Sequence, residues 1–286
     1  MNIMDKLANR AKIVGPVCVG LDTKLEFIPK CISETNGTAG EHIFEFNKRI
    51  VDATKDTACC YKLQIACYEA LGLDGLRAFS DTLKYIRSNG LIAISDIKRG
   101  DISSTAAQYA KGHFCGDFET DIITVNGYMG VDAISPYTPY FEKGKGMFAL
   151  VKTSNPSSVD LQDTLESDGR PVYMHMAELV SKWGSSYTEN RGLSAIGAVV
   201  GLTYPDEFIK IKAVMPNTFF LIPGYGAQGG TGKDLARIFG GGICGVVNSS
   251  RGIIGAHKGK TEGDDFVSYI ACATEAMRED IMKWLL

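Results

Sequence analysis

The sequence lacks the features that mark nucleic-acid-binding, membrane-spanning and secreted proteins. Its formal net charge is only -3 and its pI is about 5.9, so it presents no electrostatic footprint for nucleic acid or for an anionic membrane. No run approaches the ~18 apolar residues of a membrane span, and residues 1–6 contain no apolar segment typical of a secretory signal. We therefore expect a cytoplasmic protein that binds neither nucleic acid nor membranes.

Cysteine and histidine patterns typical of metal sites are also missing. None of the eight cysteines forms a Cys-x-x-Cys pair, and the four histidines are scattered without ligand spacing. Several cysteines fall in apolar runs, which favours reduced core residues over disulfides or zinc ligands. The sequence therefore predicts no metal site.

What the sequence does contain is a series of eight short apolar runs with helical patterns between most of them. The runs cover residues 17–22, 59–64, 91–94, 121–126, 147–152, 196–202, 218–222 and 243–248. Continuous apolar runs are typical of parallel strands that are buried on both faces, and eight such units favour a closed barrel over an open sheet. No linker composition divides the chain. We expect residues 1–286 to form a single (β/α)8 TIM barrel, an α/β fold.

The strongest chemical signal follows the third run. Asp96, Lys98 and Asp101 come directly after it. The period-two alternation of a strand puts Asp96 and Lys98 on the same side, and Gly100 is expected to let the chain turn before Asp101. Charges at the end of a buried strand cost desolvation energy unless they are paired. The pattern therefore predicts a site of paired charges rather than solvated loop residues.

Polar residues follow most of the other predicted strands as well. They are Asp22, Lys62, Asn126, Ser154, Gln228 and Arg251. Because the C-terminal strand ends of a barrel meet at one mouth, where barrel enzymes have their active sites, we expect these side chains to lie together. The glycine-rich residues 224–229 and Arg251 follow the last two strands, which favours a phosphate-binding site there. Two glycine loops without a ligand are the alternative.

These residues also carry a resemblance to a known family. Asp96-Ile97-Lys98-Arg99-Gly100-Asp101-Ile102 resembles the signature of orotidine 5'-phosphate decarboxylase, which forms UMP and carbon dioxide from OMP. The likeness extends to residues 20–22, 61–64, 153–156 and 223–230 and to Arg251. The resemblance implies a homodimeric enzyme of pyrimidine biosynthesis that binds OMP and UMP and uses no metal or other cofactor.

The resemblance also implies a role for each matching residue. Lys98 would stabilise and protonate the C6 carbanion, with the rest of a charged array supplied by Asp96, Asp101 and Lys62. The residues implied to bind the substrate are Asp22, Ile102, Thr105, Ser154, Pro223, Gln228 and Arg251. Of these, Ile102 and Thr105 are implied to reach the neighbouring subunit's site together with Asp101.

The sequence departs from the family pattern at two places, and two alternatives stay open. Ser250 stands where many members have Gly, and the chain is longer between Ser154 and Val172, as in a longer bacterial branch. A related barrel uses a similar Asp-x-Lys-x-x-Asp string with magnesium on sugar phosphates. A non-catalytic sensor on the same barrel would bind UMP without turning over OMP.

Overall fold

The computed structural model describes residues 1–188, 192–226 and 229–285. Within these ranges eight parallel strands close into a barrel in sequence order, with β8 paired to β1. The strands are β1 Val17–Gly20, β2 Cys60–Gln64, β3 Ala93–Arg99, β4 Ile122–Val125, β5 Gly146–Lys152, β6 Ile196–Val200, β7 Phe220–Ile222 and β8 Gly245–Ser249. Each predicted apolar run contributes one strand, and the predicted (β/α)8 barrel is confirmed.

Helices connect most of the strands. The α-helices are α1 Ile3–Val14, α2 Lys30–Ser33, α3 Ala39–Thr54, α4 Ile65–Glu69, α5 Gly72–Ser88, α6 Ser103–Phe114, α7 Val172–Gly184, α8 Pro205–Val214, α9 Gly232–Phe239, α10 Arg251–Ile254 and α11 Phe266–Met282. The connection from β4 to β5 instead consists of two 3₁₀ stretches, Gly127–Ala133 and Ser135–Lys143. None of the helices in the described ranges combines the length and hydropathy of a transmembrane segment.

Helix α1 closes the N-terminal end of the barrel. Its Met4 and Leu7 are fully buried and belong to one apolar cluster with barrel side chains such as Phe148. The packing is tight, because a Cβ on Gly146 at the start of β5 would lie 2.5 Å from Ile3 Cγ2. Sequence patterns did not indicate this helix. With one end of the barrel closed, ligand access is left to the C-terminal end.

The cysteines divide between the barrel interior and the surface. Cys18, Cys59 and Cys60 are buried, as predicted for core residues. Cys115 and Cys272 are exposed, so the prediction of core positions is wrong for these two. All eight cysteines lie in the described ranges, and each is a free thiol.

Candidate active site

Four side chains of alternating charge form successive ion pairs at the C-terminal mouth of the barrel. Lys62 Nζ is 3.1 Å from Asp22 Oδ1 and 3.0 Å from Asp96 Oδ2. Lys98 Nζ is 2.6 Å from Asp96 Oδ1. Asp96 therefore bridges two ammonium groups. We call Asp22, Lys62, Asp96 and Lys98 the charged row.

Parallel register explains why these residues meet. Gly20 pairs with Lys62 across β1 and β2, and Gln64 pairs with Asp96 across β2 and β3. Gln64 also donates from Nε2 to Asp96 Oδ2 at 3.1 Å. Neighbouring strands lie about 4.8 Å apart, so long side chains from matched positions can reach each other. The charged row is thus a direct consequence of strand order.

Asp22 is fixed by hydrogen bonds to both of its oxygens. Lys62 binds Oδ1, and Ser250 Oγ donates to Oδ2 at 2.7 Å. A Cβ on Gly20 would lie only 1.9 Å from Ser250 Oγ, so glycine at this position makes room for the contact. Ser250, which departs from the pattern of the resembled family, therefore orients a carboxylate of the charged row.

Lys98 has a backbone conformation that side-chain-bearing residues rarely adopt. Its φ is 42°, and the β3–β4 register shifts between Ser95 and Arg99. β3 ends at Arg99, so the chain leaves the strand at Gly100 as expected, but the residue with a positive φ is Lys98. Gly100 also permits close packing, since a Cβ there would lie 3.3 Å from Asn126 Cβ.

The ion pairs decide the charge state of the two buried members of the row. Burial would raise the pKa of Asp96, but Lys62 and Lys98 lower it to about 2. Burial would lower the pKa of Lys62, but Asp22 and Asp96 raise it well above its ordinary value. Both groups are therefore charged at neutral pH, as opposite charges within about 4–6 Å favour.

Two adjoining cavities open around the charged row. One, of about 510 Å³, extends from Asp22 to Arg251. The other, of about 370 Å³, lies beside Lys98 and Ser154. Both are lined by Lys62, Asp96, Pro223 and Asn248. Each has a volume in the range that small-molecule ligands occupy. A separate cavity of about 610 Å³ lies beside α1 and contains none of the predicted site residues.

The structure brings together most of the residues predicted for the site. Those that line the two cavities are Asp22, Lys62, Asp96, Lys98, Ser154, Pro223 and Arg251. Gln228 lies outside the described residues. Asp101, Ile102 and Thr105 are not among the lining residues of their own chain, and Ile102 is 42% exposed. A contribution of these three to a neighbouring subunit stays a prediction.

Three polar side chains of the site received no role from the sequence. They are Gln64, Thr124 and Asn248. Each lies near the C-terminal end of a strand, which is the same signal that identified Lys62 and Asp96. What the sequence did not show is which residues at these strand ends face the barrel interior.

The carboxylates of the charged row, which are its possible metal ligands, already form ion pairs with lysine side chains. Within the described ranges no three His, Cys, Asp or Glu side chains are grouped so that they could hold a metal ion. Asp96 has an ammonium group on each oxygen, and Asp22 has one on Oδ1. A divalent cation would have to displace these ammonium groups.

The fold and the site together define a (β/α)8-barrel enzyme with an active site of paired Lys and Asp side chains at its C-terminal mouth. The family model described as orotidine 5'-phosphate decarboxylase / HUMPS family matches residues 15–266. A Clostridium kluyveri protein named orotidine 5'-phosphate decarboxylase is 48% identical over 285 residues, covering 98% of this chain and 97% of that protein. The chain belongs to the orotidine 5'-phosphate decarboxylase / HUMPS family.

Solved structures agree with this assignment. A Toxoplasma gondii crystal structure described as an orotidine-monophosphate-decarboxylase has a TM-score of 0.82 at 31% identity, covering 99% of this chain and 96% of that one. The Leishmania donovani OMP decarboxylase structure has a TM-score of 0.77 at 28% identity, covering 100% of this chain and 99% of that one. The similarity thus extends over the whole barrel.

Proposed function

We propose that this protein decarboxylates orotidine 5'-phosphate (OMP) to uridine 5'-monophosphate (UMP) and carbon dioxide, a step of pyrimidine biosynthesis. The observation that carries the proposal is the charged row, because it presents an ammonium group, Lys98, to a cavity in a chain of this family. The relative from Clostridium kluyveri, which is named for this enzyme, aligns over nearly its full length.

The difficulty of the reaction is the electron pair left on C6 of the pyrimidine. The bond between C6 and the carboxylate carbon breaks, carbon dioxide leaves, and the pair stays on C6. The Lys98 ammonium stabilises this charge and then transfers a proton to C6, forming the C6–H bond of UMP. Asp96 holds the ammonium in place at 2.6 Å. Charge that is fixed before the reaction needs no reorganisation during it, which is the main source of electrostatic catalysis.

The two cavities suggest how OMP binds. The cavity beside Lys98 and Ser154 takes the pyrimidine, with Ser154 at its polar edge. The cavity that contains Asp22 and Arg251 takes the ribose phosphate. Asp22 binds the ribose hydroxyls, and Arg251 binds the phosphate with a charged contact. Pro223 lies between the two. A phosphate contact from Gln228 stays a prediction.

We also propose that the enzyme is a homodimer without a cofactor, formed by residues 1–286 as one domain. Asp101, Ile102 and Thr105 would enter the neighbouring subunit's site, and Asp101 would add a second carboxylate beside Lys98. Asp101 and Ile102 lie in the β3–α6 connection and Thr105 lies in the first turn of α6. The exposure of Ile102 and Thr105 supports this arrangement. The cytoplasmic location stays a prediction.

The test follows OMP absorbance in excess EDTA. We expect turnover to persist, because the proposed chemistry uses protein charges alone. Lys98→Ala should abolish turnover and still bind UMP, since Asp96 keeps its partner Lys62. Lys84→Ala is the matched control. Lys84 is exposed, and its Nζ lies 3.2 Å from Asp117 Oδ1, far from the mouth.

Three results would contradict the proposal. Loss of OMP turnover on chelation would favour the magnesium-dependent alternative. UMP binding without any turnover by the parent protein would favour a sensor. Retention of more than a few per cent of activity by Lys98→Ala would remove Lys98 from its assigned role.

A further inference from the structure

Thr124 lies in β4 at the side of the charged row, and its hydroxyl has three partners. The residue is 1% exposed. Thr124 Oγ1 accepts hydrogen bonds from the backbone nitrogens of Ile97 at 3.0 Å and Lys98 at 2.9 Å. It donates to Asp96 Oδ1 at 2.9 Å. A hydroxyl has one donor and two acceptor sites, so its hydrogen-bonding capacity is fully used by three consecutive residues of β3.

The backbone contacts compensate for the irregularity in β3. The β3–β4 ladder shifts register between Ser95 and Arg99, and a bulge of this kind leaves backbone groups without their regular strand partners. The Thr124 hydroxyl accepts from two of these backbone N–H groups. Lys98 sits in the left-handed region at φ 42°, which is unfavourable for a residue with a Cβ. A local contact must therefore maintain this conformation, and Thr124 provides one.

The side-chain contact fixes the carboxylate that holds the Lys98 ammonium. Asp96 Oδ1 accepts from both Thr124 Oγ1 and Lys98 Nζ, the latter at 2.6 Å. Asp96 Oδ2 faces Lys62 at 3.0 Å. The Thr124 hydroxyl therefore contacts both groups that position the Lys98 amine. These are the Lys98 backbone and the Asp96 carboxylate, which is the counter-ion of the amine.

We propose that Thr124 is a positioning residue for decarboxylation. Its hydroxyl keeps the Lys98 backbone in the left-handed conformation and keeps Asp96 in the rotamer that receives the ammonium. Thr124 acts through these two residues and transfers no proton itself. The proposal rests on the proposed function for its kinetic consequence, whereas its structural consequence is independent of the reaction.

The test compares Thr124→Val, which removes the hydroxyl at nearly constant shape, with Thr124→Ser, which keeps it. We expect Thr124→Val to lower kcat by about 100-fold, the loss that a misplacement of ~1 Å can cause. KM for OMP and the Kd of UMP should stay close to those of the parent. Thr124→Ser should recover most of the parent kcat. A general loss of structure would instead change kcat, KM and UMP binding together.

Thr120→Val is the control, because Thr120 is equally buried and its hydroxyl donates to Ala93 O at 2.9 Å, away from the cavities. It should keep the parent kcat. The proposal is overturned if Thr124→Val keeps the parent kcat, if Thr124→Ser loses as much, or if Thr120→Val loses as much.

A crystal structure of Thr124→Val gives a readout that does not depend on activity. We expect Lys98 to leave the left-handed region and its Nζ to move beyond hydrogen-bond reach of Asp96 Oδ1. Unchanged Lys98 geometry in that structure would overturn the positioning role. A parent protein without OMP turnover would instead refute the proposed function, and the crystal structure would still decide the role of Thr124.

Discussion

The backbone conformation of Lys98 should make a glycine variant at this position more stable than an alanine variant, which is the reverse of the usual order. At a φ of 42°, a residue with a Cβ pays about 1–2 kcal/mol, whereas glycine enters this region freely. Lys98→Gly and Lys98→Ala lose the same ammonium contact to Asp96 and the same half-exposed side chain, so those effects cancel in the comparison. Glycine's greater freedom in the unfolded chain offsets part of the gain. We expect Lys98→Gly to be the more stable variant by about 1 kcal/mol.

The measurement is equilibrium unfolding in urea, with the free energy of unfolding compared between the two variants. Lys84 in α5 supplies the control pair, because its side chain is 54% exposed and forms an ion pair with Asp117. In a helix interior alanine is more favourable than glycine by about 1 kcal/mol. Lys84→Ala should therefore have a larger free energy of unfolding than Lys84→Gly. If the alanine variant is also the more stable one at position 98, the Lys98 backbone is not strained.

Three further predictions concern binding, assembly and pH. Arg251→Ala should raise KM for OMP by roughly 10- to 100-fold, which corresponds to the loss of one charged hydrogen bond. The kcat at saturating OMP should persist. A loss of kcat as large as that of Lys98→Ala would contradict the assignment of Arg251 to binding and Lys98 to catalysis. A mixture of the Asp101→Asn and Lys98→Ala variants should regain part of the activity if Asp101 crosses a dimer interface. Mixed dimers without activity would indicate that Asp101 acts in the active site of its own subunit. Burial, together with Arg99, lowers the pKa of His113 from 6.5 to about 4. The unfolded chain therefore binds this proton before the folded protein does, and the free energy of unfolding falls by up to about 3 kcal/mol as the pH drops from 6.5 to 4. Urea unfolding of His113→Gln should show a flatter dependence across that window, and an unchanged slope would count against the assignment.

The barrel and most of the site could be predicted from the sequence because both depend on short-range patterns. Buried parallel strands require continuous apolar runs, and each run contributed a strand. Lys62 and Asp96 could be placed at one mouth because parallel strands bring their C-terminal ends together. The family predicted from the Asp-x-Lys-x-x-Asp string and its companion motifs is confirmed by a family model over residues 15–266.

What the sequence could not reveal depends on contacts between distant strands. The left-handed backbone of Lys98 follows from a register shift against β4 and from the Thr124 hydroxyl, neither of which has a local signal. The close packing of Gly100 against Asn126 likewise has no local signal. Helix α1 was missed because its burial depends on the barrel end that it covers. Tertiary context decided these features, not local propensity.

The two lysines of the charged row differ in their access to water, and this difference has a consequence for hydrogen exchange. Lys62 is 6% exposed and Lys98 is 46% exposed. In the proposed reaction Lys98 loses one hydrogen per cycle, and bulk solvent at the open mouth can replace it. The hydrogen that ends on the pyrimidine therefore originates from the medium, and UMP formed in heavy water should carry deuterium at C6.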